Sequence, residues 1–216
     1  MPDLDFRIEG AEVVPYATAP LLAFRHAVRN AHPDESVHTV VLRCQIQIEV
    51  TRRHYDRGEE ERLRDLFGEP ERWGQTLRTM LWTHTTAVVP AFEGETVTEL
   101  HVPCSYDFNL AATKFFYGLA GGEVPLAFLF SGSVFYESAS GALQVSPISW
   151  TKEAQFRLPV ATWQRLMDAY YPNLAFLQLR RDVYDRLYQY KVRHGITGWE
   201  QAVEGMLRVV EEGAPV

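Results

Sequence analysis

From Thr98 to Leu110 the chain alternates without interruption, with Leu100, Val102, Cys104, Tyr106, Phe108 and Leu110 at one parity and Glu99, His101, Pro103, Ser105, Asp107 and Asn109 at the other. Successive side chains of a strand point to opposite faces, so this pattern calls for an extended segment with one buried side and one wetted side. A second such strand runs from about Thr39 to Val50, with Leu42, Cys44, Ile46, Ile48 and Val50 set against Arg43, Gln45, Gln47 and Glu49. Leu4, Phe6 and Ile8 make a shorter one that closes at Gly10. Strands with one solvated face belong to antiparallel sheets.

The segment Val124–Tyr136 reads as a fourth strand, apolar on both faces near Leu126–Phe130 and therefore central or covered. Gly132 within it marks a bulge or a close approach of another backbone. A short strand at 142–148 pairs with it through a hairpin at Ser138–Gly141. Pro15 and Pro20 break the stretch after Gly10, and Leu21–Arg29 reads as one or two helical turns. Residues 58–86 read as a helical insertion: Glu59, Glu60 and Glu61 precede Leu63, Leu66 and Phe67, which suits the positive end of a helix dipole. From Pro159 the period becomes helical, with one helix through Trp163, Met167 and Tyr170 and a second over about 173–193 after the Pro172 break. A third, over about 197–212, opens on a Thr197/Glu200 capping box. With no linker or repeat in sight, the expectation is one α+β domain over 1–216. Its antiparallel sheet of four to five strands has helices packed on one face.

A net charge of −7 sets a long-range field that repels nucleic-acid phosphates and anionic lipid, so neither is expected as the main partner. The first residues carry no apolar signal run, and the longest apolar stretch falls far short of the ~20 residues a membrane span needs. A soluble, cytoplasmic protein is expected. The two cysteines, Cys44 and Cys104, sit at the apolar parity of their strands and read as small hydrophobes, not as a disulfide framework.

Catalytic signals are weak. His101 and Cys104 look like a metal pair, yet an odd offset within one strand places them on opposite faces, so only a bulge at Pro103 would let one ion reach both. Ser105, Asp107 and His101 do not form a local triad, since His101 and Asp107 are about 20 Å apart along an extended strand. Gly121-Gly122 lacks the Lys-Ser/Thr of a phosphate loop, and neither GxGxxG after a strand nor GxSxG is present. No enzyme activity, metal or cofactor is therefore expected. The competing reading is a small-molecule or metal-binding enzyme with a site assembled from distant residues such as His101, Asp107, Lys114 and Glu137.

Aromatic residues crowd the fourth strand and the late helices. Most fill the interface between sheet and helices, and the remainder, Phe128, Phe130, Phe135, Tyr136, Tyr170 and Tyr171, are the expected partner-binding set, lining an open apolar groove.

Two resemblances sharpen this. Ala127-Phe128-Leu129-Phe130 through Gly132 to Val134-Phe135, followed by Tyr171-Pro172-Asn173-Leu174-Ala175-Phe176, resembles the penultimate strand and main-helix opening of the SecB-type export chaperones. The likeness covers about 4–193 and departs at the 58–86 insertion, the strand after Gly141 and the helix beyond Thr197. Leu66-Phe67-Gly68, Val102-Pro103-Cys104-Ser105-Tyr106-Asp107 and Pro125-Leu126-Ala127-Phe128-Leu129-Phe130-Ser131-Gly132 resemble an uncharacterised bacterial family associated with nickel–iron hydrogenase gene clusters. Together they imply a non-enzymatic accessory or chaperone-like protein that binds a client polypeptide, with a hydrogenase subunit as the candidate client and a second copy of the chain as a further partner.

Overall fold

The computed structural model describes residues 1–138 and 140–213. The chain divides into two compact units, Met1–Asn173 and Leu174–Val216, where the sequence offered no linker signal. The break falls after Asn173, three residues beyond the last helix of the first unit, and Asn173 has φ 58°, a left-handed conformation.

The first unit is α+β and its strands are antiparallel. β1 (Leu4–Val13), β2 (Leu21–Asn30) and β5 (Glu95–Pro103) form a three-stranded sheet in the order β1-β2-β5. β3 (Val37–Ile48), β4 (Met80–Val89), β6 (Glu123–Glu137) and β7 (Leu143–Pro147) form the second sheet in the order β4-β3-β6-β7, and β8 (Glu153–Pro159) pairs the other half of β6. Their apolar faces meet. Phe6 stacks on Phe130 at 4.4 Å, and Phe24 meets Phe128 edge-on at 5.2 Å. Lys152 reaches Asp3 and Asp5 across one side of this sandwich, and the Thr85 hydroxyl donates to the His101 carbonyl across the other.

Helices close the ends. α1 (Arg57–Phe67) starts at a capping box the sequence reading passed over: the Asp56 carboxylate accepts from the Glu59 amide while Glu59 reaches back to the Asp56 amide. The short α2 (Trp73–Thr76) follows. α3 (Leu110–Gly118) is capped by Asn109, which also donates to the Trp82 carbonyl at 2.8 Å and so fastens the helix to β4. α4 (Val160–Tyr170) lays Trp163 flat on Phe116 of α3 at 5.2 Å.

Four readings are corrected. The alternation from Thr98 ends as a strand at Pro103; beyond it Cys104 and Tyr106 still point inward, but from a turn, and Leu110 begins α3. Leu21–Arg29 is not helical but the central strand of its sheet. It hides from a period-two reading because Ala23 and Ala27, on the solvent side, are covered by neighbouring strands. The 58–86 insertion is helical only to Thr76, after which β4 begins, and the strands are shared between two facing sheets instead of lying in one. The hairpin at Ser138–Gly141 contains residue 139, which lies outside the described residues; β6 and β7 pair as that hairpin requires.

The second unit is helical. α5 (Arg181–Arg193) starts eight residues later than the sequence suggests, and α6 (Trp199–Gly213) follows after Gly195, which has φ 62°. Tyr184 and Tyr188 both lie against Trp199, at 5.2 and 6.2 Å, and the Lys191 ammonium sits 5.2 Å over the same indole.

Candidate functional site

The six aromatics expected to bind a partner do not share a groove. Phe128 and Phe130 are sealed in the sandwich at 0% and 2% exposure, because the parity that places them on β6 also faces them to β1 and β2. Tyr170 is half-buried, its hydroxyl donating to the Ala17 carbonyl at 2.8 Å, and Tyr171 stacks on Tyr106 at 4.5 Å. Tyr136 is half-buried opposite Val37. Phe135 differs. It lies on the outward parity of β6, in register with Thr39 on β3 and Val145 on β7.

Phe135 belongs to an apolar band that crosses the outer face of the second sheet. Val88 on β4 is the register partner of Val41 on β3, and both are exposed, at 67% and 43%. Val41 pairs in turn with Ser133 on β6, which pairs with Pro147 on β7. One step along, Phe135 pairs with Val145, and Leu143 follows on the same face of β7; these two β7 side chains are exposed. β7 ends the strand order, so among the described residues the side of its backbone away from β6 carries no ladder partner. The β7–β8 connection presents Trp150 at 89% exposure.

This band is held in place by the close passage of β3 over β6. Gly132 has φ 134°, and a Cβ there would overlap the Val41 carbonyl oxygen. The backbone approach expected at this glycine is that of Val41 itself. Val41 and Val145 escaped the sequence reading because a valine at the polar parity of a strand looks like ordinary alternation noise, and Val88 because no strand was read over the β4 segment.

The residues of the competing enzyme reading are dispersed. His101 pairs with Glu99 at 3.1 Å on β5, Lys114 with Asp65 on α1, and Glu137 lies 3.5 Å from His38 at the far end of β6, while Asp107 is exposed in the turn before α3. Cys104 is buried and its thiol donates to the Val102 carbonyl, away from the exposed His101. Burial pushes the thiols of Cys44 and Cys104 up to about 12, far from reactive thiolates. Among the described residues no three His, Cys, Asp or Glu side chains converge in a way that would hold a metal ion.

An open hollow of about 560 Å³ lies beside Arg53, Tyr55, Asp56 and Glu59. Its charges serve the fold: Arg53 pairs with Glu59 at 2.6 Å and donates to the carbonyls of Gly121 and Glu123, while Glu59 also accepts from the Ala120 amide. Burial is the main cause that raises the Tyr55 phenol well above its ordinary range, and its hydroxyl donates to the Val50 carbonyl. The arrangement ties the 119–123 loop to α1. His54 lines the same hollow and is exposed.

The described residues thus present an exposed apolar band on an antiparallel α+β scaffold. The chain belongs to the family of unknown function DUF6084, whose model matches residues 1–215. No curated protein matches it. Among solved structures it is similar to IrmA from Escherichia coli, at 12% identity, 83% of this chain, 99% of that one and a TM-score of 0.33. It is also similar to the solution structure of a candidate late embryogenesis abundant protein, at 12% identity, 74% and 73% coverage and a TM-score of 0.32. No helix among the described residues is long and apolar enough to cross a membrane.

Proposed function

We propose that the protein is a non-enzymatic accessory or chaperone-like factor that takes an extended apolar segment of another polypeptide onto the outer face of the β4-β3-β6-β7 sheet and along the edge of β7. The observation that carries this reading is the register of Val88, Val41, Phe135, Val145 and Leu143: apolar, on the outer face of the sheet, and ending at Val145 and Leu143 on its edge strand β7. An extended segment added to β7 would gain main-chain hydrogen bonds, and its alternate side chains would lie over Val145 and Phe135. Burying three or four such side chains supplies about 1.5–3 kcal/mol each, less the cost of ordering the segment, which suits a reversible holder of incomplete proteins.

The sequence likeness to SecB-type chaperones and to companions of nickel–iron hydrogenase genes supports an unassembled hydrogenase subunit as the client. The test is fluorescence anisotropy with labelled peptides tiled across the hydrogenase large subunit, each titrated with the full chain. Peptides with alternating apolar residues bind, and Val145→Asp with Phe135→Asp weakens them at least tenfold without changing the melting temperature of the sheet. If no tile binds the wild-type chain, the hydrogenase reading fails; if tiles bind equally to the doubly substituted chain, the surface is wrong.

A further inference from the structure

The helical unit Leu174–Val216 carries a second apolar surface, independent of the sheet face. On α6, Trp199, Val203, Met206, Leu207 and Val210 recur at the spacing of one helix stripe, yet among the described residues of that helix only Ala202 is buried. Val203, Leu207 and Val210 are 39%, 53% and 66% exposed. Tyr184 and Tyr188 of α5 meet Trp199 at the start of that stripe and are themselves about half exposed, so the surface runs from an aromatic end to an aliphatic one. A helix pair this small with so little buried lies below the size at which a chain sustains its own core, the range in which oligomerisation or a partner normally supplies the missing burial.

The charges beside the stripe select the occupant. α5 carries four basic residues to two acidic ones, whereas α6 carries four acidic to one basic. A matching surface must offer an apolar stripe flanked by acid on the side that meets α5 and by base on the side that meets α6. Anionic lipid or nucleic acid would meet α5 well and be repelled by the glutamates of α6. The same helix pair in a second copy, turned about a two-fold axis, meets both demands at once: its acidic α6 faces the basic α5, and the reciprocal contact is identical. We infer that α5 and α6 form the self-association surface of this protein, two copies closing into an antiparallel four-helix bundle around Trp199, Val203 and Leu207.

Sedimentation equilibrium of the full chain between 1 and 100 µM reads this directly. The wild-type chain is expected at twice the single-chain mass, and Val203→Glu with Leu207→Glu at the single-chain mass, with the strand signal and main melting transition of the sheet unit retained. A charge exchange separates pairing from loss of structure. Glu204→Lys with Glu211→Lys, and separately Arg181→Glu with Arg186→Glu, each weaken association at least tenfold, and an equimolar mixture of the two restores it, because each altered helix then faces an altered partner of opposite sign. A wild-type chain that stays at single-chain mass at 100 µM overturns the inference and leaves the stripe to another occupant. A dimer indifferent to Leu207→Glu, or two charge variants that do not rescue each other, overturns it as well.

Discussion

The imidazole of His26 lies 5.0 Å from the Phe130 ring and within 23° of parallel to it, and 5.4 Å from Phe6, which itself stacks on Phe130, and neither ring nitrogen is hydrogen-bonded. A titratable ring has been placed where the sandwich wants an aromatic. Burial disfavours its charged form and pushes its pKa down from 6.5 to about 4. The unfolded chain therefore binds one more proton than the folded one between those values, and stability falls as pH drops through that window. The contribution is fully present above about pH 6.5 and lost by about pH 4, amounting to about 3 kcal/mol. Urea midpoints measured from pH 7 to pH 4.5 will show this slope in the wild-type chain and a clearly shallower one in His26→Phe. Equal slopes would mean the ring finds a proton acceptor when charged.

Gly132 should be the least replaceable residue of β6. Its φ lies where an L side chain is strained, and the space its Cβ would need is filled by the Val41 carbonyl, which is backbone and cannot swing aside. Gly132→Ala is expected to cost about 3 kcal/mol or more, since strain and overlap add. Gly74, which has open space around its Cβ position, is the control, and Gly74→Ala should stay within about 1 kcal/mol of wild type. Chemical denaturation of the two variants side by side checks the difference.

The strands with one wetted face could be read from the chain because alternation is a local property: β3 and the first half of the Thr98 run fall close to where the pattern puts them, and β1 starts there but runs on past Gly10, through a register shift, to Val13. β2 could not be read this way. Ala23 and Ala27 are buried on its solvent side by the strands that flank it, and that covering depends on pairing with β1 and β5, which no window of the sequence contains. The continuation past Pro103 misled for a related reason: inward residues such as Tyr106 keep the strand's parity while the backbone is already turning toward Asn109, the cap of α3. The exposed apolar band was legible only at Phe135. Burial of Phe128 and Phe130 follows from their shared parity with Val134, whereas the exposed Val41 and Val88 become a surface only once β3 and β4 are set in register.

Cys44 and Cys104 should behave as hydrophobes, not as reagents. Both are buried, and burial pushes both thiols up to about 12, so almost no thiolate is present at pH 8. Labelling by a thiol-reactive disulfide in native buffer is expected to run at least roughly 100-fold slower than in denaturant, at a rate set by opening of the sandwich. Gly132→Ala should speed it, because that substitution raises the open population. A fast single-cysteine phase in the native wild-type chain would contradict the burial of one of these thiols.

Arg53 and Glu59 make the sharpest test of what fastens the helical end to the sheets. The two side chains are more than nine-tenths buried and pair at 2.6 Å, and each carries further bonds to the 119–123 loop. Removing one partner strands the other charge away from water, so Arg53→Met or Glu59→Gln is each expected to cost about 3–5 kcal/mol. Replacing both removes both desolvation penalties, and Arg53→Met with Glu59→Gln should be clearly less destabilised than the sum of the single changes, by about 2 kcal/mol or more. The reason for a positive coupling is that the pair's desolvation has already been met in the folded state by its own attraction and by the loop carbonyls. Additive losses in a double-mutant cycle would show that Arg53 and Glu59 hold the loop separately, through the carbonyls of Gly121 and Glu123 on one side and the amide of Ala120 on the other.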